Sequence, residues 1–351
     1  MNLIIRARAK AKLSTVYLLL ALLRFVTTNL AVAEAGDYYR DKTVRIVVGF
    51  APGGGLDTYS RTLARHLGRH IPGSPNLTVS NLPGAGSIIA ANQLYHRTLP
   101  DGLTIGNFLG SLALSQMLSA PGIEFDSRRF VWLGVPIKQD GACVVASASG
   151  ITDIAKWQSS AVPIKLASTG VGSLDFIMAK VLQNVAGLPL QIVAGYKGTA
   201  DARLAIESGE VAGGCWQWQP IKATWRNALD SGQVKVLLQF GSRSHSDLSS
   251  VPLARSLARN DDGRLLLKVA AENPNLLTTA YALPPGSKAE HVTILRTAFK
   301  QTLQDRAFLE DARKSNLEIN PLTGEETEML INEIFNINRD LVAQLRSFIN
   351  R

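Results

Sequence analysis

Val44-Arg45-Ile46-Val47-Val48-Gly49-Phe50-Ala51-Pro52-Gly53-Gly54-Gly55-Leu56-Asp57 is the stretch on which the reading of the fold turns. Val44 to Val48 is rich in β-branched residues, which suit a pleated surface, so it reads as a strand ending at Gly49-Phe50. Three consecutive glycines then let the backbone turn without a Cβ in the way. Tyr59, Leu63 and Leu67 recur at helical spacing, and Pro72-Gly73 ends that helix. Strand, glycine loop and helix in this order form the unit of an α/β layer structure.

The unit repeats outward from there. Leu77 to Ser80 reads as a strand, Leu82 to Ser87 as a loop and Ile88 to Leu94 as a helix. Asp101-Gly102 marks a turn before a strand at Leu103 to Ile105. In the middle of the chain Ile164 to Ala167 is a strand, Ser168-Thr169-Gly170-Val171-Gly172-Ser173 a loop, and Leu174 to Val185 a helix. Gln191 to Val193, the loop Gly195 to Thr199 and a helix from Asp201 to Ser208 follow, then a strand from Val234 to Phe240. Beyond Pro284-Pro285-Gly286 the chain turns helical, at Ala289 to Leu303, Arg306 to Ser315 and Gly324 to Phe348. The expected fold class is α/β with two lobes, each a sheet flanked by helices, and a helical C-terminal tail. Ligands of open α/β sheets lie beyond the carboxyl ends of the strands, so two facing sheets would make a cleft.

The N-terminus reads as an export signal. Arg6, Arg8, Lys10 and Lys12 precede the apolar run Leu13 to Leu23, and Ala31-Val32-Ala33 supplies a small-residue cleavage site, with the cut after Ala33. The run is short for a membrane span, which takes about 20 apolar residues. An uncleaved anchor is the rival reading. Residues 1–33 hold five Lys and Arg and no acid, so the chain's 37 basic and 28 acidic residues become 32 against 28 beyond them, +4 rather than +9. So mild an excess, with no basic stripe carrying aromatics, speaks against nucleic acid as a partner. The roughly 318 residues left are enough for two cores. Cys143 and Cys215 would be free to pair in an oxidising compartment, but two small buried hydrophobes is the default reading.

Several groups carry candidate chemistry. Gly53, Gly54 and Gly55 offer backbone amides beside a helix N-terminus, a ready anion site. Asp57 reads as the N-cap of that helix, which would leave the glycine amides facing a ligand. The loop at 168–173 holds the same position in the second unit; either loop taken alone is equally well a plain turn. Trp216 and Trp218, two apart in an expected strand, would share a face and either wall a pocket or pack in a core. His66 and His70 are four apart on a helix, but with no acidic partner or third ligand they do not read as a metal site. No phosphate loop, dinucleotide fingerprint or nucleophile elbow is present, so enzyme readings lack an anchor, and no cofactor is expected.

These motifs, taken in order, resemble the extracytoplasmic receptors of tripartite tricarboxylate transporters, the Bug family. The resemblance rests on Val44 to Arg65, Leu82-Pro83-Gly84-Ala85-Gly86-Ser87, Pro100-Asp101-Gly102, Tyr196-Lys197-Gly198-Thr199, and Asn320-Pro321-Leu322-Thr323-Gly324. It implies a type II periplasmic-binding fold with crossing strands, residues 34–140 and 278–351 in one lobe and 141–277 in the other. It implies a periplasmic, monomeric, non-catalytic receptor for a small organic acid, with a large and a small membrane subunit as partners. A sensor feeding a membrane kinase would use the same lobes. The resemblance implies that a ligand carboxylate is held by the loops Pro52 to Asp57 and Ser168 to Ser173, partly through waters. Together with the residue-level reading, the candidate ligand-binding residues are Pro52, Gly53, Gly54, Gly55, Asp57, Gly84, Ala85, Asn107, Ser168, Thr169, Gly170, Gly172, Ser173, Tyr196, Trp216 and Trp218. The chain departs from the family in having Leu82, where arginine is usual, and in lacking acids over 211–218.

Overall fold

The computed structural model describes residues 38–350. The leader and its expected cut after Ala33 lie outside them. Eleven strands form two sheets among the described residues. The first contains β1 (Thr43–Val48), β2 (Asn76–Asn81), β3 (Thr104–Phe108), β4 (Val131–Val135), β10 (Ala280–Leu283) and β11 (Leu322–Thr323), in the order β11-β4-β10-β3-β1-β2. The second contains β5 (Gly141–Ala146), β6 (Ile164–Ser168), β7 (Leu190–Ala194), β8 (Gly213–Gln217) and β9 (Val234–Phe240), in the order β7-β6-β8-β5-β9. The two orders share one pattern. Three parallel strands come first, then one antiparallel strand (β10, inserted from far along the chain, and β5), then a strand running with the first three (β4 and β9); the first sheet adds β11 at its edge.

This insertion fixes how the sheets face each other. β10 is antiparallel to both β3 and β4, so β4 points the same way as β1 to β3. β5 is antiparallel to β8, which runs with β6. The chain therefore leaves the first sheet at Val135 on its carboxyl edge and enters the second at Gly141, also on the carboxyl edge. Only residues 136–140 lie between, and an extended residue spans at most ~3.6 Å, so the two edges are held within roughly 20 Å at this point. The return crossing, 277–279, lies beside the first: the Gly110 amide donates to the Leu277 carbonyl, and Gln139 Nε2 donates to Thr278 Oγ1.

Helix α1 (Gly55–Leu67) follows the glycine loop and buries Ser60, Leu63 and Leu67. Leu63 and Leu67 pack with Val44, Ile46, Val48, Ile105 and Phe308, each leucine contributing about 1.5–3 kcal/mol by leaving water. Helix α2 (Ile88–Arg97) covers β3 through Ala91 and Leu94. In the second sheet, α3 (Leu174–Val185) and α4 (Thr199–Glu207) follow β6 and β7. The tail comprises α5 (Ala289–Gln304), α6 (Arg306–Lys314), α7 (Gly324–Phe335) and α8 (Arg339–Asn350). The single helix expected over 324–348 is thus two. Asn338 Oδ1 accepts the Leu341 amide and starts α8 as a cap would. α8 packs against α3, and Arg346 Nη2 reaches back to the Met117 carbonyl and Ser119 Oγ of the first half.

The default reading of the cysteines is corrected. Cys143 and Cys215 stand directly opposite each other on β5 and β8, with Cα atoms 4.0 Å apart, and are joined in a disulfide. Strand register brought them together, and spacing in the sequence gives no hint of that. The bond closes a sequence separation of 72 residues. Replacing Cys215 by Ser should lower unfolding stability by ~2–4 kcal/mol through the unfolded chain's regained freedom. Chemical denaturation of the oxidised protein and the variant checks this; coincident midpoints would remove the disulfide from the stability argument.

Candidate functional site

Because β1, β2, β6 and β7 are parallel within their sheets, the loops that follow them lie on the facing carboxyl edges. After β1, Pro52 to Gly55 are exposed and Asp57 is buried. Gly53 has φ +85, the left-handed region where glycine is at ease. Gly54, with extended backbone, is the N-cap of α1, so Asp57 is not the cap that the sequence suggested. Asp57 lies in the first turn, and its carboxylate reaches back into the loop. It accepts from Gly53 N at 2.8 Å, from Arg61 Nε at 2.8 Å and from Asn81 Nδ2 at 2.9 Å. The Gly53 amide is therefore already engaged, which corrects the expectation that all three glycines present amides. Those of Gly54, Gly55 and Leu56 have no partner among the described residues. They are the unpaired start of a helix, carrying its positive end.

Burial alone would raise the Asp57 pKa. Arg61, the Gly53 amide and Asn81 outweigh it and bring the carboxyl down to about 2. The charge is thus fixed at neutral pH and balanced by Arg61, so it does not add a net negative charge to the loop. Asn81 Nδ2 also donates to the Phe50 carbonyl, and Arg61 Nη2 donates to Asn81 Oδ1. Arg61 and Asn81 were missed by the sequence reading; a polar residue closing β2 beside a glycine loop was the available signal.

Gly84 and Ala85 lie in the loop after β2, where Gly84, Ala85, Gly86 and Ser87 all have positive φ. Ser87 is fully buried at φ +74, and its Oγ accepts the Leu109 amide. A Cβ on Gly49 would meet the Ser87 Cβ at 2.4 Å, so the end of β1 and this loop fit only with glycine there. Asn107, near the end of β3, is also fully buried. Its Nδ2 donates to the Ala280 carbonyl, while its Oδ1 finds no donor among the described residues.

The second sheet repeats the device. Ser173 caps α3 by accepting the Phe176 amide, and Ser168 Oγ lies within reach of Ser173 Oγ and the Gly170 amide. Asp175 accepts from Thr169 N at 2.6 Å and Thr169 Oγ1 at 2.9 Å. It was missed too, although Leu56-Asp57 and Leu174-Asp175 follow their loops alike. Gly170 and Gly172 are open to solvent on the side where a Cβ would stand. The Tyr196 loop is tied to the same place, since the amides of Gly195 and Tyr196 donate to the Ser168 carbonyl. Tyr196 Oη donates to Glu210.

The tryptophans go elsewhere. β8 ends at Gln217 and Trp218 begins a helix, so the two indoles do not share a strand face. Both are 5 % exposed, packed with Ile206, Ile221 and Trp225 in the second sheet's core. His66 and His70 each meet an aspartate of the α6 segment, His66 Nε2 at 2.8 Å from Asp311 and His70 Nε2 at 2.8 Å from Asp305. No group of three or more metal-ligating side chains occurs among the described residues. A groove of about 1060 Å³ exists, but at the opposite edge of the second sheet, beside Ser147, Lys165 and Gly232.

Two mixed sheets with facing carboxyl edges, two crossing segments and a helix-start amide cluster define a two-lobed solute-binding protein of the type II periplasmic-binding fold. Residues 61–346 match the tripartite tricarboxylate transporter family receptor, TctC, and the chain belongs to that family. Protein BugT of Bordetella pertussis is 23% identical over 296 residues, covering 81% of this chain and 83% of BugT. A TctC solute-binding protein from Polaromonas, solved without ligand, superposes with a TM-score of 0.67 at 18% identity, covering 89% of this chain and 99% of its own. The R. palustris protein Rpa4515, solved with adipate, superposes at 0.62 with 18% identity over 87% of this chain and 97% of its own. Among the described residues no helix is long and apolar enough to cross a membrane.

Asp57 gives the site an acid-side signature. Its pKa is depressed, so the stability it adds is present above the unfolded value near 4 and is lost as pH falls toward 2. Asp57→Asn should cost ~2 kcal/mol at pH 7, and little near pH 2. Urea denaturation of both proteins at the two pH values measures it; an equal cost at both would mean that Arg61 does not hold the charge.

Proposed function

We propose that this chain is a periplasmic receptor that binds a small organic acid between its lobes, performs no catalysis, and hands the acid to the large and small membrane subunits of a tripartite tricarboxylate-type transporter. The observation that carries the reading is the unpaired amide cluster of Gly54, Gly55 and Leu56, next to an aspartate already balanced by Arg61. A carboxylate fits these donors: a hydrogen bond to a charged group contributes about 1.5–3 kcal/mol, and micromolar affinity needs roughly 8 kcal/mol. The Ser168 to Ser173 loop supplies further donors from the other lobe, in the unpartnered amides of Val171 and Gly172. The orphaned Asn107 Oδ1 is an acceptor for a bridging water or a ligand hydroxyl. Adipate in Rpa4515 is in keeping with an acid ligand.

A thermal-shift screen of organic acids, with neutral amides and sugars as controls, tests the class, because a ligand of the native state raises Tm by mass action. An acid should shift Tm; a sugar or amide doing so in its place would end the carboxylate reading. Gly54→Val tests the loop. Its φ of −78 accepts a side chain, and a Cβ meets nothing nearer than the Ala51 carbonyl at 3.7 Å, so the fold should survive. The valine branches would cover the amides, and acid binding should weaken at least ~tenfold. Unchanged affinity by calorimetry would place the site elsewhere.

A further inference from the structure

We propose that the chain carries a second ligand site, on the other side of the crossings from the glycine loops, and that this site takes an α-amino acid with an apolar side chain. The inference does not depend on the carboxylate reading of the cleft.

The strands that feed the crossings divide each sheet. β10 and β4 separate β11 from β1 and β2, and β5 separates β9 from β6 and β7. The loops after β1, β2, β6 and β7 therefore lie on one side, and β11 and the loop after β9 on the other. On that other side a pocket of about 710 Å³ opens, a size that suits a small molecule. The first crossing lines it with Lys138 and Asp140, and the loop after β9 with Arg243 and His245. The tail adds an apolar part, Leu322 of β11 with Met329 and Leu330 of α7. Met329 is 57 % exposed, and its flexible thioether adapts to what lies on it. An occupant would touch both halves of the chain.

Local bonds set these groups in place. The Lys138 amide donates to the Asn320 carbonyl at 2.8 Å, which fastens the crossing to the tail. The His245 amide donates to Gln239 Oε1, and His245 Nδ1 accepts the Asp247 amide, so Nε2 is the ring nitrogen left to donate. The charged groups do not pair with one another. Asp140 is half-buried, and its carboxylate accepts no hydrogen bond from any described residue. Burial pushes that carboxyl up, while His245, Lys138 and Arg243 pull it down. All three are thus near enough to act through space, yet none forms an ion pair with it. The side chains of Lys138 and Arg243 have no other partner among the described residues. Nearby acids are engaged elsewhere: Asp247 with Lys222 and Trp218 Nε1, and Glu326 with the Thr323 amide.

A carboxylate and two cations held around a pocket without closing on each other are met together by a zwitterion. Its ammonium donates to Asp140, and its carboxylate accepts from Arg243 and Lys138. An apolar side chain then lies on Leu322, Met329 and Leu330. A simple organic anion would be repelled by Asp140 and leave it without a donor. A simple amine would leave Arg243 and Lys138 without an acceptor.

The test is calorimetry on the exported protein with leucine, methionine and phenylalanine. Each is run beside its amide, which lacks the carboxylate, and its deaminated acid, which lacks the ammonium. At least one amino acid should bind roughly tenfold or more tighter than both of its analogues. Arg243→Met and Asp140→Asn should each weaken it roughly tenfold or more, and Arg243→Lys should retain most of the affinity. Gly54→Val should leave it unchanged. Arg243 is exposed and bonds to nothing, so its variants should fold, as circular dichroism verifies; they carry the test if Asp140→Asn does not fold. Amino acids that bind no better than their analogues, or binding that survives Arg243→Met, overturn the proposal. Binding lost in Gly54→Val would place the amino acid in the cleft and overturn it too. If organic acids still bind and still depend on Gly54 while amino acids do not bind, the receptor reading stands and this inference alone falls.

Discussion

The constraint on which the rest depends is the short span between β4 and β5. Residues 136–140 join two strands at carboxyl edges, because β4 ends alongside the parallel strands of its sheet while β5 starts antiparallel to those of its own. A longer or helical connection would let the sheets face any way. A short one, with the second crossing bonded beside it through Gln139 and Thr278, leaves one arrangement. The loops with the most open backbone, after β1 and β6, are then on the inner edges. The cleft follows from connectivity before any side chain is considered, and the disulfide of Cys143 and Cys215 secures the antiparallel strand β5 to its neighbour β8.

Within that frame, two aspartates do the local work. A glycine-rich loop at a helix start is entropically costly to hold in one shape. Asp57 and Asp175 each take up one loop amide, Gly53 N and Thr169 N, and so fix the loop from the helix behind it. A carboxylate at this place would ordinarily compete with an anionic ligand. In the first lobe Arg61 cancels its charge and Asn81 takes up its second oxygen. In the second lobe Asp175 is turned inward onto Thr169. Each lobe keeps the ordering effect of an acid and hides the charge.

Much of this was legible in the sequence. The strand at 44–48, the helix at 174–185 and the strand at 234–240 show clean periodicity and turn residues, and they appear within a residue of where they were expected. The two loops were found because glycine runs are local signals. What was not legible is what depends on register or on reach between elements. The Cys143 and Cys215 pairing comes from strand register across 72 residues. Asn81 meets Asp57 only because β2 lies beside β1. Trp218 looked like a strand residue because alternation in Cys215-Trp216-Gln217-Trp218 is equally consistent with a strand running into a helix. The place of Asp57 failed by a smaller margin: Gly54 caps a helix as well as an aspartate three residues on would seem to, and hydrogen-bond geometry, not residue type, decides between them.

The C-terminal helix ties the two halves of the molecule unequally. α8 buries Leu341, Leu345 and Phe348, and it packs against α3 and the helix at Asp261–Leu267, both of the second half. Its tie to the first half is Arg346, an exposed side chain bonded to Met117 and Ser119. Uncovering three apolar side chains would cost about 1.5–3 kcal/mol each. Releasing exposed hydrogen bonds to water costs about 0.5–1.5 kcal/mol apiece. α8 is therefore held more firmly to α3 than to the first half of the chain, and Asn336 to Asn338 separate it from α7. That segment is where the tail breaks from one helix into two: α7 lies on β4 of the first sheet, and α8 lies on α3 of the second half.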